Sequence, residues 1–310
     1  MYKKDSDIPK DPTVQLIKKL EKGIENVFTS DNFKNYLRTM SKFHNYSANN
    51  IVLIFLQKPE ASYVAGYKTW QSLGRQVLSK KEVGPGIKII AGCTYNLKDE
   101  NGKEKIDPDT GEKEKGKYYK AVTIFDISQT KGDPLPGYDL VGELAGQLDN
   151  EKYIDHIKTL RAISKYPIIF DELKGYPKDC KGYFSRNDRD IHIRDEMSRE
   201  QSIKTLIHEI THSRLHDYGA DPTRDRRLKE LEAEGTAFCV ADHLGIDTSD
   251  YSFGYIAEWT KDIKPEDRKE SLEIIRGTYQ EIITDIEKYK EKENCFEKEN
   301  MGENENEFDY

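Results

Sequence analysis

His208 and His212 stand four residues apart, with Glu209 beside the first, in the run Leu206-Ile207-His208-Glu209-Ile210-Thr211-His212-Ser213. Four residues is about one helical turn, so both imidazoles project from one helix face. That spacing lets two ring nitrogens bind one tetrahedral Zn²⁺, with Glu209 placed to take a proton from a bound water. Ser198 followed by Gln201 fits a capping box at the start of this helix, and Met197, Leu206 and Ile207 supply apolar flanks.

A catalytic zinc needs a third protein ligand and an open fourth position. The next helical pattern, about Arg227 to Leu244, carries Glu230, Glu232, Glu234 and Asp242. Glu234 shares a stripe with Ala237, Phe238 and Ala241, the side expected to be buried. A carboxylate aimed there is costly unless it is paired or bound to metal. Glu234 is therefore the expected third ligand, with Glu230 the second choice or a partner of the ligands, and Glu232 suits a solvated position. His216 extends the series to His208, His212, His216. In an unbroken helix it lies about 12 Å from the first histidine, and no glycine turns the chain between His212 and His216. It is read as a helix-end residue that does not bind the metal.

The elements that must hold these residues belong to a chain of 310 residues with a formal net charge of −8, long enough for two domains of ordinary size. No 18-residue apolar run occurs, and Met1-Tyr2-Lys3-Lys4-Asp5 lacks the apolar segment of a signal peptide. Cys93, Cys180, Cys239 and Cys295 are scattered without a C-x-x-C pair and read as reduced thiols of a cytoplasmic protein. Neither a membrane partner nor an organic cofactor is expected.

Residues 1–12 read as a frayed lead-in. Helical spacing then predicts helices from about Pro12, from Ser30 or Asp31, and over Ser47 to Leu56, with a short one bearing Trp70. Strands are expected at Ile87–Ala91 and Tyr119–Ile127. Between them, residues 96–117 are almost wholly polar, an arm or exposed loop to which no chemistry is assigned. Thr130–Tyr138, rich in Gly and Pro, reads as the linker. Helices follow at Leu140–Leu148 and Tyr153–Ser164, a strand at Pro167–Phe170, and a hairpin of Gly182–Phe184 with Asp190–Arg194. In zinc peptidases a strand beside the metal can hold an extended peptide, and Ile191–Arg194 is placed for that job or for packing alone. Helices at about Tyr255–Lys261 and Pro265–Lys292 close the chain. The stretch Glu287–Tyr310 holds nine acidic residues against four lysines and is expected to end disordered.

From Lys34 to Lys98 there are ten basic residues and two acidic ones, a local charge of +8 that leaves −16 for the rest. Phe33, Tyr36, Phe43, Tyr46, Tyr63, Tyr67 and Trp70 are interleaved with that charge. Cations that follow phosphates, with rings on which bases stack, suit single-stranded nucleic acid; a solvated basic face over a ring-filled core explains the same composition. Lys68 and Arg75 are the expected phosphate contacts and Tyr46 or Tyr67 the stacking ring. Trp70 is expected in the core.

Asn49-Asn50 with Gln57-x-Pro59-x-Ala61, then Gly66-Tyr67-Lys68-Thr69-Trp70-x-x-Leu73-Gly74-Arg75-Gln76-Val77, resembles the N-terminal domain of the ArdC-type antirestriction proteins. Phe125-Asp126-Ile127-Ser128-Gln129-Thr130 is similar to that domain's closing strand. The resemblance continues through His208-Glu209-Ile210-Thr211-His212, Ala233-Glu234-x-x-Ala237-Phe238 and Tyr255-Ile256-x-x-Trp259. It implies an α+β chain: a mixed helix and sheet domain over 12–135 that binds single-stranded DNA, a zincin-like, mostly helical metallopeptidase domain with a small sheet over 138–290, and an acidic tail at 291–310. It also implies carriage on mobile genetic elements and protection of incoming DNA from restriction, and it supports His208, His212 and Glu234 as zinc ligands with Glu209 as base. Two other functions are compatible: a zinc endopeptidase acting on a specific protein such as a repressor, with DNA binding for targeting, or a DNA-binding module whose zinc is structural. An intact Glu209 favours a peptidase, since a structural site needs no general base.

Overall fold

The computed structural model describes residues 11–100, 102–108, 110–133, 148–217, 219–247, 253–254 and 256–305. Most of the expected lead-in, most of the helix at Leu140–Leu148, Tyr255 and the end of the linker lie outside these residues. The first three helices are α1 (Pro12–Val27), α2 (Ser30–Lys42) and α3 (Ala48–Gln57). They do not stay together. Contacts divide the chain into one unit of Met1–Val27 with Asn49–Tyr138 and another of Phe28–Ala48 with Asp139–Tyr310.

In the first unit, β1 (Val64–Gly66), β3 (Ile87–Asn96) and β4 (Lys115–Asp126) form an antiparallel sheet in the order β1-β4-β3. The chain between them adds α4 (Tyr67–Ser72), β2 (Arg75–Val77) and α5 (Lys80–Val83), and β2 pairs with β5 (Thr130–Gly132). Leu16, Leu20 and Ile24 of α1, Ile51 to Phe55 of α3, and Ile87, Ile89 and Ile124 of the sheet are buried. Helix α1 approaches α3 closely enough that a Cβ on Gly23 would meet Leu56 Cδ1 at 2.1 Å. Trp70 is fully buried, as expected, and its indole N–H donates to the Phe125 carbonyl at 2.9 Å.

Several residues of the ArdC-like pattern have structural work here. Asn50 and Gln57, two turns apart on α3, exchange paired hydrogen bonds with the backbone of Ile90 and Lys88 at 2.8–3.0 Å. They occupy the outer edge of β3, which would otherwise present unpaired N–H and C=O groups. The buried Asp126 carboxylate accepts from the backbone N–H of Ser62, Tyr63 and Ser128. Beyond that clamp, β3 and β4 run on as a hairpin to the pair Asn96↔Lys115. The polar stretch 96–117 is thus an ordered arm: Leu97 N–H bonds Glu114 O, and Lys105 N–H bonds Leu97 O.

The second unit contains α2, α6 (Asn150–Ile163), α7 (Arg199–Leu215), α8 (Arg226–His243), α9 (Ile256–Trp259) and α10 (Pro265–Glu305), with β6 (Ile168–Asp171), β7 (Gly182–Ser185) and β8 (Asp190–Arg194). Helix α2 packs on α8. Its Phe33, Tyr36, Leu37 and Met40 are fully buried, with Phe33 edge-on to Phe253 at 5.1 Å. By contacts this helix groups with the second unit, although it lies within the 12–135 stretch expected as the first domain. The apolar stripe of α2 finds its complement on a helix about two hundred residues later in the chain. Helix α10 continues through Glu305 into the stretch expected as a tail, and Lys158–Glu293 and Lys290–Asp155 ion pairs extend its contact with α6; residues 306–310 lie outside those described. Among the described residues no helix is long and apolar enough to cross a membrane.

Candidate functional site

Helix α7 begins at Ser198, whose hydroxyl accepts from Gln201 N–H at 3.2 Å. The reciprocal half of the expected capping box is not made: Gln201 Oε1 accepts from Lys181 Nζ at 3.0 Å instead, while its Nε2 donates to Thr205 Oγ1. From there the helix is buried on most sides. Ile203, Leu206, Ile207 and Ile210 are fully packed, and the hydroxyls of Thr211 and Ser213 return to backbone carbonyls of their own helix. Packing against α6, α8, β7 and β8 holds it, so the two histidines project from a braced rod.

His208 Nε2 and His212 Nε2 lie 3.0 Å apart. Glu230 Oε2 of α8 lies 3.7 Å from the first and 3.6 Å from the second. Among the described residues these three side chains form the cluster that could hold a metal ion. Tetrahedral zinc with bonds of about 2.1 Å requires ligand–ligand edges of about 3.4 Å, and two imidazoles with one carboxylate are a usual catalytic donor set. The residues fit a divalent cation.

Glu234, expected as third ligand, is one turn further along α8 and reaches the other nitrogen of the same ring, 3.8 Å from His208 Nδ1. Glu230 thus stands nearer to both Nε2 atoms than Glu234 does. Burial did not distinguish them, since their side chains are 34% and 37% exposed. The axial register of α8 against α7 decides which one meets both Nε2 atoms. Glu232, expected in solvent, is instead 2% exposed. Its carboxylate takes hydrogen bonds from Arg224 and from Ser271 Oγ.

Glu209 is buried, and that burial, with the carboxylates of Glu230 and Glu234 nearby, pushes its carboxyl up to about 7 in the metal-free protein. The backbone N–H of Phe184 on β7 and the charge of His208 work in the opposite direction. Burial opposes a charged His208, yet Glu234, Glu209 and Glu230 outweigh it and hold its pKa above the ordinary value. For His212 burial prevails over Glu230, and its pKa falls. The approach of His212 Nε2, at 3.6 Å, leads the causes that keep Glu230 below the usual carboxylate range.

His216 ends α7 and stays out of the three-atom cluster, as expected. It is not idle: its Nδ1 lies 2.8 Å from His212 Nδ1. The strand Ile191–Arg194, offered above for an extended peptide, cannot take that role. The sheet order is β6-β8-β7, with β8 parallel to β6 and antiparallel to β7. Both of its edges are already paired. The edge strand beside Glu209 is β7, and nothing in its four residues distinguished it from its hairpin partner.

The residues expected to bind DNA divide. Tyr67 is half exposed and Lys68 exposed at the start of α4. Arg75, in contrast, is committed: its guanidinium bonds Thr130 Oγ1, Gly132 O and Asp133 O, and lies over the Trp70 ring. Tyr46 is half-buried, set edge-on to Phe43, and belongs to the second unit. Sequence reasoning passed over the base of the β3–β4 arm. There Tyr95, Tyr118 and Tyr119 are exposed by 51%, 44% and 66%. Lys115, Lys117 and Lys120 stand among them, exposed. The signal was present as Lys115-Gly116-Lys117-Tyr118-Tyr119-Lys120, but alternation alone does not tell which end of a strand leaves the core.

Residues 6–125 match the N-terminal domain of anti-restriction factor ArdC, and residues 165–249 match a peptidase family described as IrrE N-terminal-like. An uncharacterized protein of Bacillus anthracis, pXO2-81, is 25% identical over 90% of the chain. The chain spans about half the length of that curated relative, 52%. The metal-free crystal structure of the antirestriction protein ArdC from plasmid R388 superposes with a TM-score of 0.51 at 19% identity, covering 78% of this chain and 86% of that one. A Mn(II)-bound structure of the same protein gives 0.49 at 17% identity, over 78% and 85% of the two chains.

Proposed function

We propose that this chain, an ArdC-type protein by its two domains and its fold, binds single-stranded DNA through its first unit and carries a zinc-dependent peptidase site in its second. In this reading it acts in the cytoplasm to protect DNA entering the cell from restriction. The observation that carries the peptidase half is the His208–His212–Glu230 cluster beside a buried Glu209.

His208, His212 and Glu230 would hold the zinc, which when bound supplies Lewis-acid activation of water and of a carbonyl oxygen. Glu209 is the base. A carboxyl held near neutrality can accept a proton and return it to a leaving amine. Glu234 orients His208 through Nδ1, the kind of outer support that fixes a ligand ring. Among the described residues β7 pairs with β8 alone, so its outer edge offers main-chain groups to an extended peptide beside Glu209. In the first unit, lysines 115, 117 and 120 with the exposed tyrosines of the arm, together with Tyr67 and Lys68, provide phosphate contacts and stacking faces.

The test compares wild type with Glu209→Gln in two assays: cleavage of candidate proteins, and anisotropy of labelled single- and double-stranded oligonucleotides. The expected result is loss of cleavage with unchanged DNA binding and unchanged zinc content. Equal affinity for matched single and double strands would remove the stacking mode. A specific protein such as a repressor as the substrate is the second reading, favoured by the free edge of β7. A catalytically silent zinc is disfavoured by the buried Glu209.

A further inference from the structure

We propose that His216 is a positioning residue for the metal site: it fixes the tautomer of His212 and ties that ligand to the buried Glu232–Arg224 pair. The inference rests on the reading of His208 and His212 as metal ligands.

His212 turns Nε2 toward His208 and Glu230. A ring that offers Nε2 as a ligand must carry its proton on Nδ1. That Nδ1 lies 2.8 Å from His216 Nδ1, so one of the two nitrogens donates and the other accepts. With the proton on His212, His216 Nδ1 is the acceptor and its own proton belongs on Nε2. This nitrogen is buried with no hydrogen-bond partner of ordinary length. The acceptor it faces is Glu232 Oε2, at 3.6 Å.

Glu232 is able to stay ionised in that surrounding. Its other oxygen accepts from Arg224 Nε at 3.1 Å, from Arg224 NH2, and from Ser271 Oγ at 2.6 Å. Arg224 is held in turn by Glu270 at 2.6 Å. Each proton along the chain from Glu232 through His216 to His212 therefore has one consistent place. The donors all point away from the metal site, and His212 Nε2 is left as a bare lone pair. An ion-paired carboxylate at the far end of such a chain raises ligand basicity and holds the ring plane.

His216 is suited to this work because it is not a third helical histidine in line. As the residue that ends α7 it has left helical geometry (φ −121°, ψ 19°), while its N–H still bonds His212 O at 2.8 Å. The ring is thereby swung beside its predecessor on α7. A buried histidine held only for packing would need neither the short Nδ1–Nδ1 contact nor the carboxylate beyond it.

The experiment uses the full-length protein, Zn²⁺ alone as the ligand, and a chromogenic chelator as competitor, with circular dichroism to check the fold. His216→Leu removes the acceptor and is expected to weaken zinc binding by about 10- to 100-fold. His216→Asn keeps an acceptor oxygen near the Nδ1 position and is expected to recover most of that loss. The second readout needs no metal: ¹⁵N shifts of the imidazoles in metal-free wild type should show His212 protonated on Nδ1 and His216 on Nε2. A folded His216→Leu protein with wild-type zinc affinity would overturn the proposal. So would wild-type spectra with the His216 proton on Nδ1, an outcome that is read even if the leucine variant does not fold. Absence of zinc binding by wild type would instead remove the ligand reading beneath it, and the spectra would still decide the tautomer.

Discussion

The candidate metal cluster and the candidate basic surface of the first unit were both read from the same kind of information, residue types at given intervals, and they fared differently. His208, Glu209 and His212 sit on one helix, and their relation is fixed by a rise of about 1.5 Å and a turn of about 3.6 residues. Whatever α7 packs against, the two imidazoles remain neighbours. Lys68, Arg75, Tyr46 and Tyr67 span two compact units and several elements. Their relation depends on which faces the fold covers. Arg75 was spent on closing β2 against β5, and Tyr46 went to the other unit. Local geometry travels with the sequence; exposure does not.

The widest gap between the two regions should appear on removing a ligand. His212→Ala is expected to lower zinc content from about one per chain to near zero, with Glu209→Gln unaffected, as read by metal analysis after dialysis. Full occupancy in the His212→Ala protein would dissolve the contrast, because the short-range motif would then be no better than the long-range one. Glu209→Gln should reduce any peptide cleavage by about 10²- to 10⁴-fold.

Within α8 the comparison becomes finer. Glu230→Gln should cost more zinc affinity than Glu234→Gln, the second falling in the 10- to 100-fold range of an outer partner. The reverse order, measured by chelator competition, would return Glu234 to the position that its place on the helix first suggested.

Acidity offers another handle on the second unit. The Glu209 carboxyl is raised to about 7 in the metal-free protein, so the folded state binds this proton more tightly than the unfolded one. Its contribution to stability is complete below the ordinary glutamate range and is lost as pH rises through about 7. Metal-free wild type should therefore lose stability relative to Glu209→Gln between pH 5 and pH 8, followed by urea denaturation. Zinc binding, which needs deprotonated ligands, should strengthen over the same interval. A pH-independent difference between the two proteins would show that burial does not control this carboxyl.

The smallest effects belong to the first unit. Replacing lysines 115, 117 and 120 together by Ala should weaken single-strand binding and flatten its dependence on salt. Tyr119→Ala should cost roughly 1–3 kcal/mol with the slope unchanged. Arg75→Ala should act mainly on the stability of the unit, seen in its melting, rather than on the salt slope. If Arg75→Ala changes the slope and the lysine variant does not, the surface lies where the sequence first placed it.

By itself the sequence determined most of the helices and strands, the pairing of His208 with His212 beside Glu209, the buried indole of Trp70 and the kinship to the ArdC-type domains. All of these are carried by repeats of two to four residues or by contiguous motifs. Tertiary structure decided what depends on register and partnership between distant segments. It chose Glu230 over Glu234 at the Nε2 atoms, although both share a face of α8. It buried Glu232 by bringing Arg224 and Ser271 to it. It made β8 a central strand and β7 an edge, and it gave α2 to the second unit. The physical reason is common to these cases. A side chain's periodicity states which neighbours it has along its own element, whereas burial, pairing and free edges are set by the element packed against it, and that choice is made by the whole chain.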